Sequence, residues 1–225
     1  MTDPVPSGRE VIERVRTATG DWQLQRRGGH YEIIANGTFL MATYNRTSDE
    51  ALAALALARV RGDRLRVLVG GLGIGYTVRA VLHDPRVTRC DVVEIEPLVV
   101  AWYERHTSPH SGRPLDDPRV HLIVGDLGLL PLERGAYDAV LLDTDNGPDW
   151  VALGENARLY DGAGIARMLE VLRPGGVAAY WSASPSPSFV RRVPASAAVE
   201  VVEVEDQIAP GRTAPAVLYL VRPAA

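Results

Sequence analysis

Not one lysine occurs among these 225 residues, and every one of the 24 basic side chains is an arginine. Schiff-base and lysine-nucleophile chemistry are thereby excluded. The single cysteine, Cys90, rules out an internal disulfide. It sits in the apolar run VTRCDVVEIE, which favours a small buried side chain over a reactive thiol. Apolar runs are short, and none approaches the roughly 18 residues of a membrane span. The first ten residues, MTDPVPSGRE, lack the basic-then-apolar pattern of a secretory leader, so a soluble, cytoplasmic protein is expected, with no membrane partner. Like charges do not run on and the net charge is −4, which argues against a nucleic-acid partner. The histidines show no ligand spacing: His106 and His110 share a helical spacing, but Pro109 interrupts it. No metal site is expected.

What is present is a chain that is 46% hydrophobic, enough for the core of one α/β domain with an added element. Residues 1–7 read as a polar, proline-containing disordered lead. In GREVIERVRTAT, Val11, Ile12 and Val15 share one face of a short amphipathic helix. DWQLQRRGGHYEIIANGTFLMATY reads as three short antiparallel strands, with Asn36-Gly37 a hairpin turn. Thr47 and Glu50 have capping-box spacing ahead of a helix in ALAALALARV. From residue 65 continuous apolar strands alternate with helices, the pattern of a parallel sheet covered on both faces. One such helix, GAGIARMLEVLRPGG, is closed by Arg-Pro-Gly-Gly. The expected division is residues 1–63, a helix plus a small antiparallel β element with a linking helix, and residues 64–225, a Rossmann-like domain.

The stretch VLVGGLGIGYT carries Gly71, Gly73 and Gly75 directly after a strand, where glycine permits a tight turn and close approach of backbone to a ligand. This is not the dinucleotide spacing, because Tyr76 stands where the third glycine would fall, so an NAD-dependent reductase is the last choice. Glu94 lies nineteen residues beyond Gly75 at the end of the next strand, the place of a carboxylate that accepts ribose hydroxyls. Glu96, just before Pro97, is read instead as the acid of a helix N-terminus. Asp126 ends the third strand, beside Leu127, and could accept from an adenine amino group. Asp143 ends the fourth. Taken singly each acid could be a cap or a solvated turn. Together they mark the carboxyl edge where parallel sheets bind ligands.

With its VLVGGLGIG, VVEIEP, VGD, YDAVLLDTDNGP and LRPGG segments, the chain resembles the class I S-adenosylmethionine-dependent methyltransferase fold, and more closely its spermidine synthase branch. The helix start TSDEALAALAL is similar to that branch too. The resemblance implies a seven-stranded, mostly parallel sheet whose last strand is antiparallel, usually a homodimer. The implied cofactor is S-adenosyl-L-methionine or its decarboxylated form, held by Gly71, Gly73, Gly75, Glu94, Asp126, Leu127 and Asp143. Asp143 is implied as the catalytic aspartate, with Asp145 the second choice. The alternative for Asp145 is an Asx-type turn with Asn146-Gly147.

Three departures bear on the reaction. Ile74 stands where the branch carries a loop aspartate for the cofactor amine, and DEALAAL lacks the branch's tyrosine. Asp145 also follows Asp143 by two residues, where the branch has three. The expectation is therefore methyl transfer to a small-molecule amine or hydroxyl, with Asp143 as base or acceptor-orienting group. The alternatives are an aminopropyltransferase with altered acceptor recognition and a non-catalytic adenosyl-ligand-binding protein. Trp150, Tyr160 and Trp181 follow strand ends and are candidate walls of an acceptor pocket, the alternative being lids or core edges.

Overall fold

The structure, a computed structural model, describes residues 8–209 and 211–224. The segment expected to form a leading tail, residues 1–7, lies outside the described residues. Described residues build two sheets. The smaller is antiparallel, with β1 (Arg9–Thr17), β2 (Gly20–Arg27), β3 (His30–Ala35) and β4 (Thr38–Ala42) in sequential order. Asn36 and Gly37 turn the β3–β4 hairpin with φ of 51° and 77°, as a two-residue turn of this hand requires.

Strand β1 corrects the expected N-terminal helix. Its residues pair with β2, Val15 opposite Trp22 and Arg14 opposite Gln23. The register shifts between Val11 and Glu13, so the strand contains a bulge. A bulge adds one residue and breaks the two-residue alternation. Here it makes Val11, Ile12 and Val15 mimic helical spacing.

The second sheet follows α1 (Thr47–Leu57) and contains β5 (Leu65–Gly70), β6 (Val87–Glu94), β7 (Val120–Val124), β8 (Tyr137–Leu142), β9 (Leu172–Ser182), β10 (Ala197–Ala209) and β11 (Arg212–Pro223). Their spatial order is β10-β11-β9-β8-β5-β6-β7. The five strands from β5 to β9 are parallel, and β11 runs antiparallel to both its neighbours. Helix α2 (Tyr76–Leu82) follows β5. After β6, α3 (Pro97–Trp102) passes through a π turn (Tyr103–Thr107) into α4 (Ser108–Ser111), and α5 (Gly162–Glu170) and α6 (Pro187–Arg192) flank β9. Pro109 therefore does not end the helical path, since it sits in the first turn of α4, where its missing N–H costs nothing. His106 and His110 both pack on Tyr31, with ring centroids 5.6 and 5.8 Å away. Arg173-Pro174-Gly175-Gly176 lies in β9, and the preceding helix α5 ends at Glu170.

Strand alternation divides the core. Val67 and Val69 of β5 face a cluster with α1, α2 and Cys90, and Leu68 faces one with Tyr160, Met168, Tyr180 and Phe189. Cys90 is buried as expected, and desolvation pushes its thiol up to about 12. A third cluster joins Trp22, Leu24 and Ile33 of the small sheet to Ile74, Tyr76, Val99 and Trp102. The small sheet is thereby seated against the glycine loop and α3.

Helix α1 is capped from far away in sequence. Its N-cap residue, Arg46, provides no side-chain cap, so the Thr47–Glu50 capping box does not form. Glu50 pairs instead with Arg79. The Asp206 carboxylate of β10 accepts from the N–H groups of Thr47 (3.2 Å) and Ser48 (3.4 Å) and from the Ser48 hydroxyl (2.9 Å). Asp206→Ala is expected to cost about 1–2 kcal/mol, the usual worth of a cap, as measured by urea unfolding.

Candidate active site

Two cavities open at the carboxyl edge of the large sheet, and the glycine loop separates them. Gly71 has φ of +92°, and its N–H donates to Val93 O at 2.8 Å. A Cβ there would be driven into the Asp143 carbonyl, its carbon only 2.9 Å away. Gly73, at φ +52°, lies where a Cβ would meet Met41 Sδ at 2.9 Å. The first glycine thus sets the loop against the end of β8, and the second admits the small sheet above it.

Glu94 ends β6 in the floor of the narrower cleft, a space of about 30 Å³. Its Oε2 accepts from Leu72 N and its Oε1 from Glu96 N, each at 2.9 Å. Burial raises its pKa, and those backbone N–H groups oppose the rise. A carboxylate has about four lone-pair sites, so two remain for a ligand's hydroxyls. Trp22, Leu40 and Met41 of the small sheet and Val99 also line this cleft. An acid among apolar walls suits the ribose and base of an adenosyl group. Glu96 caps α3, as expected, by accepting from Leu98 N at 3.0 Å. Its other oxygen accepts from the hydroxyls of Thr17 (2.8 Å) and Thr19, tying the small sheet to the large one.

Asp126 sits beside the cleft. Gly125 and Leu127 line it, whereas the Asp126 carboxylate accepts from Gly128 N (2.7 Å) and pairs with Arg158 (3.4 Å). Asp143 faces both cavities. Its Oδ2 accepts from the Thr77 hydroxyl at 2.6 Å. Desolvation, with a contribution from the charge on Asp206, pushes its carboxyl up to about 6 against the pull of that hydroxyl. Asp145 lines the larger cavity but is committed to its own loop. It accepts from Asn146 N (2.8 Å), Ala152 N (2.7 Å), Leu153 N (3.1 Å) and Asn156 Nδ2 (3.1 Å). With these donors in place Asp145 organises its own loop, whereas Asp143 accepts one side-chain hydrogen bond, from Thr77, and lines both cavities.

The larger cavity has a volume of about 250 Å³. Trp150, more than half exposed, stands on its rim with Phe39 and Ile208. Trp181 forms part of the wall and donates from Nε1 to Ser48 Oγ at 2.9 Å. Tyr160 does not line it, which corrects the sequence expectation. Fully buried in the core, it reaches the site only through a 2.9 Å hydrogen bond between its hydroxyl and that of Thr144.

Two acids in this cavity escape the sequence reading, Asp49 of α1 and Asp206 of β10. Desolvation, then the charges of Asp143 and Asp206, holds the Asp49 carboxyl well above the ordinary carboxylate range. Asp49 reads in sequence as an ordinary first-turn helix acid. Asp206 did leave a signal: Val202, Val204 and Asp206 share one strand face, and an acid on an apolar face needs a reason. Among the described residues, no arginine or histidine lines either cavity.

The strand order, with its antiparallel seventh strand and acids at successive strand ends, defines a class I S-adenosylmethionine-dependent methyltransferase-like fold. Within that class the spermine/spermidine synthase domain matches residues 46–208, and the chain belongs to this family. It is 30% identical over 130 residues to putrescine N-methyltransferase 4 of Nicotiana tabacum, covering 57% of this chain and 32% of the relative. It is 30% identical over 181 residues to the polyamine aminopropyltransferase of Mycobacterium tuberculosis, covering 78% of this chain and 33% of the relative. The chain thus spans about a third of the length of these curated relatives. Spermidine synthase from Thermotoga maritima superposes with a TM-score of 0.77 at 16% identity, over 96% of this chain and 73% of that one. A spermidine synthase in complex with the transition state analogue AdoDATO gives 0.74 at 16% identity, over 94% and 72%.

Proposed function

We propose that this chain is a transferase using an adenosyl sulfonium, S-adenosyl-L-methionine ahead of its decarboxylated form, to methylate an amine of a small molecule. The observation that carries the reading is the position of Asp143 at the junction of the two cavities, with its carboxyl pushed up to about 6. When bound, the sulfonium supplies an activated carbon whose thioether leaving group is neutral and needs no acid. Gly71, Gly73 and Glu94 hold the nucleoside side, and Leu127 packs along the narrow cleft. Asp143 orients the acceptor nitrogen and takes one proton from it, and Thr77 fixes the carboxylate that does so. An amine is preferred to a hydroxyl because the larger cavity presents carboxylates and, among the described residues, no cation.

Ile74 supports methyl over aminopropyl transfer. It is a buried apolar residue in the larger cavity wall, and it offers nothing to the free amine of a decarboxylated cofactor. One observation favours the second reading, aminopropyl transfer: the acid-lined cavity suits an ammonium tail better than a carboxylate. Titration calorimetry with both cofactors decides between them. At least about tenfold tighter binding of S-adenosyl-L-methionine is expected, the worth of one charged hydrogen bond. Tighter binding of the decarboxylated form overturns the methyl assignment.

A further inference from the structure

We propose that the mouth of the larger cavity takes the aromatic tail of the acceptor, so that the chain acts on an arylalkyl monoamine whose ammonium lies inside at Asp143. The inference rests on the reading of this cavity as the acceptor side of a transferase.

Polar and apolar groups in this cavity are sorted by exposure. Of the side chains that line it, those open to solvent are Phe39, Trp150, Ile208 and Pro215, all apolar. Every acid that lines it is buried or half-buried. Phe39 and Trp150 are also the two large aromatic side chains left exposed among the described residues. They come from separate parts of the chain, β4 and the loop after β8, and meet at one opening. Single apolar residues on a surface need no explanation, whereas a group of them around a cavity mouth marks a binding surface.

The mouth is held in shape by its backbone. Asn146 Nδ2 donates to Phe39 O at 3.2 Å, and Trp150 N donates to Gly147 O at 3.2 Å. Asn45 Nδ2 donates to Gln207 O, beside Ile208. Asp149, the acid next to Trp150, is occupied by Ser188 Oγ (2.6 Å) and Arg192 (2.9 Å) and offers little charge to the opening. Such a ring strips water from a second ammonium and gives it no partner, which disfavours a diamine reaching outward. An aromatic tail leaves water there for Phe39 and Trp150, while Leu72, Ile74 and Trp181 provide apolar wall for the carbons between ring and nitrogen.

The test is titration calorimetry of three primary amines that share a four-carbon chain, on the protein loaded with S-adenosylhomocysteine. The three are butylamine, 4-phenylbutylamine and putrescine. 4-Phenylbutylamine is expected to bind about tenfold or more tightly than butylamine, and more tightly than putrescine. In Trp150→Ala the advantage of the phenyl group over butylamine should fall below about threefold, and Trp150→Phe, which keeps an aromatic face, should restore most of it. Leu129→Ala removes an even more exposed apolar side chain that lines neither cavity, and it should keep the wild-type ratio. S-adenosylhomocysteine affinity and thermal unfolding establish that the variants are folded. A phenyl advantage that is absent in the wild type, or that survives in Trp150→Ala, overturns the proposal, as does tighter binding of putrescine. Self-association of the wild type in sedimentation velocity, lost in Trp150→Ala, also overturns it by assigning the mouth to a second copy of the chain. A wild type that gains affinity from the phenyl group through Trp150, yet transfers no methyl to that amine from S-adenosyl-L-methionine, supports the mouth assignment and overturns the methyl-transfer reading instead.

Discussion

Asp143→Asn is expected to abolish transfer while making the protein more stable. On the proposed function, loss of the proton acceptor should lower kcat by roughly 10²–10⁴. Affinity for S-adenosylhomocysteine should stay within about threefold, because Glu94 and the glycine loop remain. The stability gain follows from the raised carboxyl. Its pKa climbs from 3.8 to about 6 on folding, so the folded protein binds the proton more tightly than the unfolded chain. The fold therefore loses stability as pH rises from about 4 to about 6 and carries the full penalty above that. Asparagine removes the penalty. Allowing for solvent at this partly buried group, urea unfolding at pH 7 should show a gain of about 1–2 kcal/mol that vanishes near pH 4. The wild-type rate should rise through pH 6 as the carboxylate forms. A variant that turns over normally would remove Asp143 from the reaction, and one that unfolds more readily at pH 7 would contradict the electrostatic account.

Gly71→Ala should be strongly destabilising. Two penalties coincide at this position, a φ of +92° that alanine resists and a Cβ driven into the carbonyl of Asp143. Their sum is about 2–4 kcal/mol. Relief requires the end of β8 to move, which displaces the Asp143 carboxylate with it. Gly175→Ala makes the comparison clean, since its φ is +82° but nothing lies within 4 Å of the added carbon. That variant should lose only about 1 kcal/mol and keep its activity. Equal losses in the two, by urea denaturation, would show that backbone strain alone is at work and that contact with β8 adds nothing.

The parts of the site readable from sequence are those fixed by strand ends. Gly71, Gly73, Glu94 and Asp143 each sit one strand or one turn from a recognisable apolar run, and a parallel sheet brings all such ends to one edge. Asp49 and Asp206 were not readable as partners. Asp206 meets the start of α1 across some 158 residues of chain, and no local pattern encodes that pairing. Tyr160 and Trp150 show the same limit. Both are aromatics after strand ends, yet one is wholly buried and the other mostly solvated. Which is which depends on tertiary packing that spacing does not record. The expected N-terminal helix is a strand because a bulge shifts the phase of β1, and three apolar residues are too few to reveal the shift.

The cap on α1 has a consequence for how the molecule comes into being. A ribosome delivers the chain from its first residue, so Thr47 and Ser48 emerge long before Asp206. The glycine loop, Glu94 and Asp143 can take their places once the five parallel strands are out. The first turn of α1 stays uncapped, and the wall formed by Asn45 and Asp49 stays unbraced, until the closing hairpin docks. In birth order the narrow cleft at Glu94 is early and the larger cavity is last.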